Sequence, residues 1–513
     1  MTEANSRRWW ALAAVSLAVL VVGLDGTVLS VALPTLAGKL HASESDLQWF
    51  TSAYLLVLAA AMLPAGMLGD RYGRKKMLLG ALFLFAAGSA LCAAASSSAA
   101  FIAARTLLGL AGAGVIVMAV SALTVLFDEQ ERPRAVGVWA AMNFIALPIG
   151  PLLGGWLLAH VWWGWVFLMN VPVVLIALAA VATLVPETRA ARQPALDVGG
   201  IALSTAGLTV LTYGFIRAGE YGWGTAPALL AMACGLGLLL AFFAWETHVA
   251  RQPGGEPLVD LALFDSPAFT WGVLLAAVGV LAMLGVMFTM PQYFQGVAGT
   301  TAMGSGLRLL PLIGGLIVGA LPADRLARRV GAKLTATLGF IALGAGLALG
   351  SATHAQSSDL FVSAWLALVG AGMGLAMATA SSSALSELSA EQGGIGSAVL
   401  QAVNKTGGPF GAAILGSVLS SIYVAKVSLA GLPASIAATV HASIFGAVAV
   451  AAHSHDLALL HSARSAFASG MDVALLVSCG FALIGAVLAI AFLPGGATVT
   501  DCVEREGELA LTD

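Results

Sequence analysis

Charge is what this sequence has least of. Asp, Glu, Lys and Arg make up 10% of its 513 residues, against roughly 25% in soluble proteins. Hydrophobic residues fill 59% and the mean hydropathy is +0.94, which excludes a string of water-soluble domains. Cysteine is scarce as well: Cys92, Cys234 and Cys479 lie in apolar runs and Cys502 in a polar tail, none at metal-ligand or redox spacing. No metal site is expected, and the cysteines read as packing residues. Neither sign of charge dominates, with 23 basic against 26 acidic residues, so nucleic acid is excluded as a partner. Nucleotide-binding and hydrolytic signatures are missing too: there is no Gly-x-x-x-x-Gly-Lys-Ser/Thr, His-Glu-x-x-His or Gly-x-Ser-x-Gly. An ATP-driven pump and a membrane enzyme are disfavoured accordingly, and no cofactor is expected.

What the chain does have is long apolar runs. Only a helix satisfies its own backbone in lipid, and about 20 apolar residues cross the hydrocarbon. On that rule spans fall near 10–32, 46–68, 77–96, 99–126, 134–158, 165–185, 198–217, 226–246, 268–290, 305–322, 331–350, 359–386, 395–422 and 472–493, about 14 in all. Arg7 and Arg8 before the apolar run Ala11 to Val31 suggest a signal peptide, but the run is long enough to span and reads as the first helix. The apolar stretch 442–452 is short for a span and reads as an interfacial or re-entrant piece on the outer face.

Basic residues fix the orientation, because they concentrate on the cytoplasmic side. Arg7, Arg8, Arg71, Arg74, Lys75, Lys76, Arg132, Arg134, Arg189, Arg192, Arg251, Arg325, Arg328, Arg329, Lys333 and Arg505 fall on one side; Lys39, Arg217, Lys426 and Arg464 fall on the other. Both termini are therefore expected in the cytoplasm. Asp70-Arg71-x-x-Arg74-Lys75 after the second span reappears as Asp324-Arg325-x-x-Arg328-Arg329 after the tenth, with Gly66 and Gly319 preceding them. Related halves with a substrate site between them are a common transporter plan. The fold class expected is an all-α polytopic membrane protein: a six-helix bundle over 1–190, two inserted helices and a linker over 191–264, a second six-helix bundle over 265–494, and a cytoplasmic tail over 495–513.

Several of these segments resemble a known family. The loop from Gly66 through Gly69, Asp70, Arg71, Gly73 and Arg74 to Lys76 resembles the signature between helices 2 and 3 of the major facilitator superfamily. Leu24-Asp25-Gly-Thr27 through Pro34 resembles the first-helix motif of its 14-span drug:proton antiporters, the group of the quaternary-ammonium and multidrug exporters. Gly150-Pro151-Leu-Leu-Gly154-Gly155 resembles their fifth-helix antiporter motif, while Trp163 to Pro172 and Pro257 to Phe264, with Asp260, mark the same branch. The resemblance covers nearly the whole chain. It implies the major facilitator fold and proton-coupled efflux of lipophilic, cationic drugs or antiseptics by alternating access. The partners implied are a small lipophilic substrate, protons and the bilayer, driven by the proton gradient; a monomer is consistent with it. A narrow-substrate exporter, a sensor on the same fold and a membrane-embedded enzyme are the alternatives. Alanine- and glycine-rich, lysine-poor usage suggests a bacterial source and a cytoplasmic inner membrane.

The candidate residues follow. Asp25 lies 15 residues into the first span, roughly 22 Å along the helix, and an ionised carboxylate there costs about 2.5–3.5 kcal/mol on insertion scales. It is expected to face an internal cavity, where burial favours the neutral acid and a bound cation the carboxylate, a minimal device for exchange. A structural hydrogen bond, for example to Thr27, is the alternative. Arg105 in the fourth span resembles the family's basic motif, with Leu108 in place of its usual glutamine; it either joins proton coupling or snorkels to an interface. Asp70, Arg71, Gly73 and Arg74, with Asp324, Arg325 and Arg328, are expected to form cytoplasmic gating loops. Gly137, Pro148, Gly150, Pro151, Gly154 and Gly155 make the fifth span able to pack closely and bend. Asp25, Tyr54, Asn143, Phe144, Met287, Gln401, Asn404 and Lys405 are the candidate wall of a substrate cavity, with no mid-span acid beyond Asp25. His441, His453, His455 and His461 fit no tight metal spacing and read as a solvated outer loop.

Overall fold

The computed structural model describes residues 3–127, 131, 135, 146, 149–189, 197–252, 255, 257–259, 261–386, 390–430 and 432–494. The chain begins with α1 (Glu3–Lys39), α2 (Glu44–Tyr72), α3 (Arg74–Ala94) and α4 (Ser98–Leu126). It continues through α5 (Ile149–His160), α6 (Trp165–Leu168), α7 (Asn170–Leu184), α8 (Val198–Tyr221) and α9 (Ala226–Ala250). The remainder comprises α10 (Pro267–Gln292), α11 (Ala302–Arg308), α12 (Leu310–Ala320), α13 (Ala323–Val330), α14 (Ala332–Gly350), α15 (Asp359–Ser386), α16 (Ala390–Lys426), α17 (Ala434–Ala442), α18 (Ile444–Ser454) and α19 (Leu457–Phe492).

Local chemistry sets the helix starts. Ser43 and Asp46 form a reciprocal capping box that opens α2, and Ser97, Ser266, Thr301 and Asp456 each accept from a backbone amide at the start of α4, α10, α11 and α19. Asp197 caps α8 by accepting from the Gly200 amide, and takes a second bond from the Trp245 indole at 2.8 Å. Burial opposes its ionisation, but these donors outweigh it and hold the carboxyl below its ordinary range. Glu246 of α9 accepts from the Val259 amide at 3.0 Å, which ties the linker before α10 to the inserted pair.

Among the described residues, twelve helices are long and apolar enough to cross a membrane, and a thirteenth is counted if α2, bent by 49° at Pro64, is one span. The fifth predicted span, 134–158, falls largely outside the described residues; α5 is its described end. The last predicted span, 472–493, is the inner part of a longer helix. Its extension from Leu457 is held by packing that a hydropathy window cannot see, with Gly470 against the Leu419 carbonyl of α16. The tenth predicted span is two pieces, α11 and α12, which meet at Leu309 just before Pro311.

Two cores result. One is built mainly from α1 to α4, α6 and α7, and the other from α10 to α19. Leu158 and Phe445 pack against both. The polar contacts that join the halves run along α2, where Glu44 accepts from Gln292, Ser52 donates to the Pro409 carbonyl, and Gln48 Oε1 lies 3.4 Å from the Ser417 hydroxyl. Gln295 adds a bond to the Val31 carbonyl at 3.1 Å. On the seam between the halves lies α8, where the Ser417 and Ser421 hydroxyls of α16 donate to the Phe215 and Gly219 carbonyls at 2.6 and 3.2 Å. The stretch 442–452 forms most of α18, which buries Ile444, Ala447 and Ala451 and lies over Gly296 at the end of α10.

Small residues set the closest approaches. Between α12 and α15, Gly315 and Gly319 face the Ala367 and Ala371 carbonyls, and Gly370 and Gly374 face those of Leu312 and Leu316. Gly314, one residue away from the seam, has nothing within 4 Å of its missing side chain. Gly319→Val should therefore cost about 1–3 kcal/mol through overpacking, lowering the thermal midpoint of the detergent-purified protein, whereas Gly314→Ala should leave the midpoint unchanged.

Candidate functional site

A carboxylate in the middle of α1 and a guanidinium in the second turn of α4 meet inside the first bundle. Arg105 Nη1 donates to Asp25 Oδ2 at 2.5 Å, and both side chains are at most 1% exposed. The rest of the guanidinium is satisfied as well: Nε donates to the Phe50 carbonyl at 3.0 Å, and the group lies over the Tyr54 ring, 4.2 Å from its centroid. Asn170, the first residue of α7, donates from Nδ2 to Asp25 Oδ1 at 3.2 Å and to the Ser89 hydroxyl of α3 at 3.3 Å. Both carboxylate oxygens thus have donors. Five helices converge on one ion pair.

Gly109 lets α4 come this close. A Cβ there would collide with the Tyr54 carbonyl of α2, so the residue one turn beyond Arg105 must be glycine for the guanidinium to reach both Phe50 and Tyr54. The Tyr54 hydroxyl donates to the Val22 carbonyl at 3.3 Å, closing α2 onto α1 one turn above Asp25.

This geometry places the sequence-derived candidates as follows. Asp25 faces Arg105 and Asn170 rather than an open cavity, and Thr27 bonds to the Gly23, Leu24 and Ala146 carbonyls instead of to it. Arg105 is inside the bundle and does not snorkel. Tyr54 is part of the ion-pair shell, 2% exposed, rather than a cavity wall. Met287 is buried in the second core, Gln401 is half-buried on α16, and Asn404 is buried with its Oδ1 lacking a hydrogen-bond partner. Asn143, Phe144, Gly137, Pro148, Asp260 and the tail after 494 lie outside the described residues, as does the side chain of Lys405. Asp25 is not the one acid within a span. Asp472 stands near the middle of α19 with its Oδ1 buried and lacking a hydrogen-bond partner, and Glu246 is buried in α9.

The fifth-helix motif lies where the halves touch. Gly150 and Gly154 rest on Thr27 and Val28 of α1, Gly155 rests on Ala302 and Met303 of α11, and Gly306 of α11 rests on the Pro151 carbonyl. At the turn between α2 and α3 Arg74 closes onto Asp70 at 2.8 Å, and Lys75 Nζ donates to the Ala182 carbonyl in the last turn of α7, where a cation is favoured by the helix dipole. Gly66 faces Val117 and Gly69 faces Met118 of α4, while Gly73 makes the turn at φ 117°. The Arg74 amide donates to the Thr188 carbonyl. Arg71 lies over the ring of Tyr72.

In the second half the charges repeat but the turn does not. Asp324, Arg325 and Arg328 belong to the helix α13, make no ion pair among the described residues, and precede by several residues the turn at Gly331, φ 86°. Gly331, not the position three residues after Asp324, is the structural counterpart of Gly73, since each caps one helix and starts the next. The expectation of two equivalent loops is corrected on that ground.

Sequence reasoning missed the anchoring role of Asn170 and Ser89. A lone amide opening an apolar helix was the available signal. Removing one partner of a buried pair strands the other charge, at about 3–5 kcal/mol. Arg105→Met should therefore lower the unfolding midpoint in detergent by that order, and Asp25→Asn combined with Arg105→Met should be less destabilised than Arg105→Met alone.

Residues 15–412 match the profile of the Major Facilitator Superfamily. The chain is 34% identical over 498 residues to a tetracenomycin C resistance and export protein of Streptomyces glaucescens, covering 95% of this chain and 92% of that one. It is 32% identical over 479 residues to a methyl viologen resistance protein of Salmonella typhimurium (91% and 95% covered), and 31% identical over 498 residues to a multidrug efflux pump of Mycolicibacterium smegmatis (96% and 97% covered). Its fold is that of a bacterial homolog of the human lysosomal transporter Spinster, solved inward-facing and occupied, with a TM-score of 0.67 at 17% identity over 94% of this chain and 96% of that one. With its apolar helices, its two packed halves and this match over most of its length, the chain is a multi-pass membrane protein that belongs to the Major Facilitator Superfamily.

Proposed function

We propose that this protein exports lipophilic, cationic drugs or antiseptics across a bacterial cytoplasmic membrane in exchange for protons, through 14 spans with both termini inside. The observation that carries the reading is the buried Asp25–Arg105 pair, held by Asn170. A proton on Asp25 removes the charge that Arg105 needs, so the two binding states of the carboxylate favour different arrangements of α1 and α4. The names of the relatives, tetracenomycin C resistance and export, methyl viologen resistance and multidrug efflux, support a drug as the substrate.

Alternating access then rocks the first half against the second, with Gly150 to Gly155 as the sliding contact and the Asp70–Arg74 turn as an inner latch. A second reading, a narrow exporter of one antibiotic, is favoured by the tetracenomycin C relative, which matches along 95% of this chain.

Ethidium movement into inverted membrane vesicles separates the two. The unchanged protein should accumulate dye only with a proton gradient, and Asp25→Asn at equal expression should abolish gradient-driven accumulation. Equal transport by both would make Asp25 structural. Failure of the unchanged protein across several cationic dyes would favour the narrow exporter.

A further inference from the structure

A second acid is buried where the halves meet, and the mechanism above does not use it. Glu44, in the first turn of α2, is 6% exposed and accepts from Gln292 Nε2 of α10 at 3.1 Å. The same nitrogen also donates to the Phe288 carbonyl at 3.3 Å, which fixes the orientation of the amide. Gln292 is 0% exposed, and its Oε1 has no hydrogen-bond partner. An amide carbonyl buried beside a carboxyl group lacks one thing, a proton on that carboxyl group.

The surroundings favour that proton. Gln292 is the one side chain that bonds to Glu44 among the described residues, so an ionised Glu44 would be a buried charge without a cation. Tyr423 of α16 is the titratable group facing it from the second half, and its hydroxyl is committed to the Val440 and Ser443 carbonyls. On α2 itself Asp46 is a second negative charge, bound into the capping box with Ser43. The amides at the start of α2 favour ionisation, a smaller effect than desolvation.

We propose that Glu44 is a proton-binding site of the outer gate: protonated, it donates to Gln292 Oε1 and closes α2 onto α10, and ionised, it releases them. The site stands at the head of a polar seam, one residue per turn of α2, formed by Glu44, Gln48 and Ser52. Phe445, which touches both cores, and Tyr423, bonded to the chain at the junction of α17 and α18, put that junction over it. Because the acid is neutral when the gate is closed, closure is favoured at low pH and lost as pH rises. The inference rests on the exchange reading in one respect, that protons arrive from the outer side.

The test is a distance measurement by pulsed electron paramagnetic resonance on the full chain in nanodiscs, without substrate or gradient. Spin labels are placed at Lys39→Cys and Ala298→Cys, exposed positions on opposite halves, in a background with the four native cysteines replaced. Between about pH 5.5 and about pH 8.5 the ratio of short to long distances should fall by about tenfold or more, as binding of one proton allows. Glu44→Gln, which is neutral at every pH, should keep the short distance at both, while Tyr423→Phe and Asp46→Asn should shift like the parent. A parent that does not shift, or a Glu44→Gln protein that shifts equally, overturns the proposal. Gradient-driven ethidium transport measured on the same variants separates the two ideas. Transport without a Glu44-dependent shift leaves exchange standing and removes the outer site; a Glu44-dependent shift without gradient-driven transport does the reverse.

Discussion

A guanidinium and a carboxylate can leave water for the inside of a helix bundle only if each finds in the other, and in nearby backbone, what it lost. The Asp25–Arg105 pair imposes that condition on the whole first half of the protein. It requires α4 to lie against α2 closely enough for Arg105 to reach the Phe50 carbonyl, so Gly109 faces Tyr54. It also requires α7 to begin where Asn170 can bridge Asp25 and Ser89. Remove the pair, and the rotation and depth of five helices lose their common reference.

Among the described residues, the second half has no buried ion pair of this kind. Its close contacts are backbone against backbone, through Gly315, Gly319, Gly370 and Gly374 between α12 and α15. Its polar groups, Gln292, Ser417 and the Pro409 carbonyl, are turned towards α2. Among the described residues, one half is organised around a charge and the other around shape.

How much of this was legible in the sequence depended on whether the governing force was local. Span positions were readable because lipid demands a self-satisfied backbone over a fixed length, and that demand acts on each segment alone. Asp25 and Arg105 stood out because each is an isolated charge in an apolar run. Their mutual contact was not readable, since it depends on how α1 and α4 are rotated, and nothing within either segment sets that. Glu44 was hidden for a different reason: an acid in a first turn is an ordinary helix-start residue, and only the fold buries it against Gln292. The repeated Asp-Arg-x-x-Arg charges were visible, but the turn glycines Gly73 and Gly331 stand at different distances from them, so the charge pattern overstated the likeness of the two halves.

The inserted helices have a consequence for lipid. Hydrogen bonds from Ser417 and Ser421 fasten α8 to α16, whereas between α8 and α2 there is a small apolar gap lined by Leu208, Thr212, Leu56 and Ala59. The polar fastening of the pair α8 and α9 is therefore to the second half. Because α8 packs on both α2 and α16, it covers the line where the two halves meet on this flank, and an acyl chain approaching from that side meets α8 before it meets the seam.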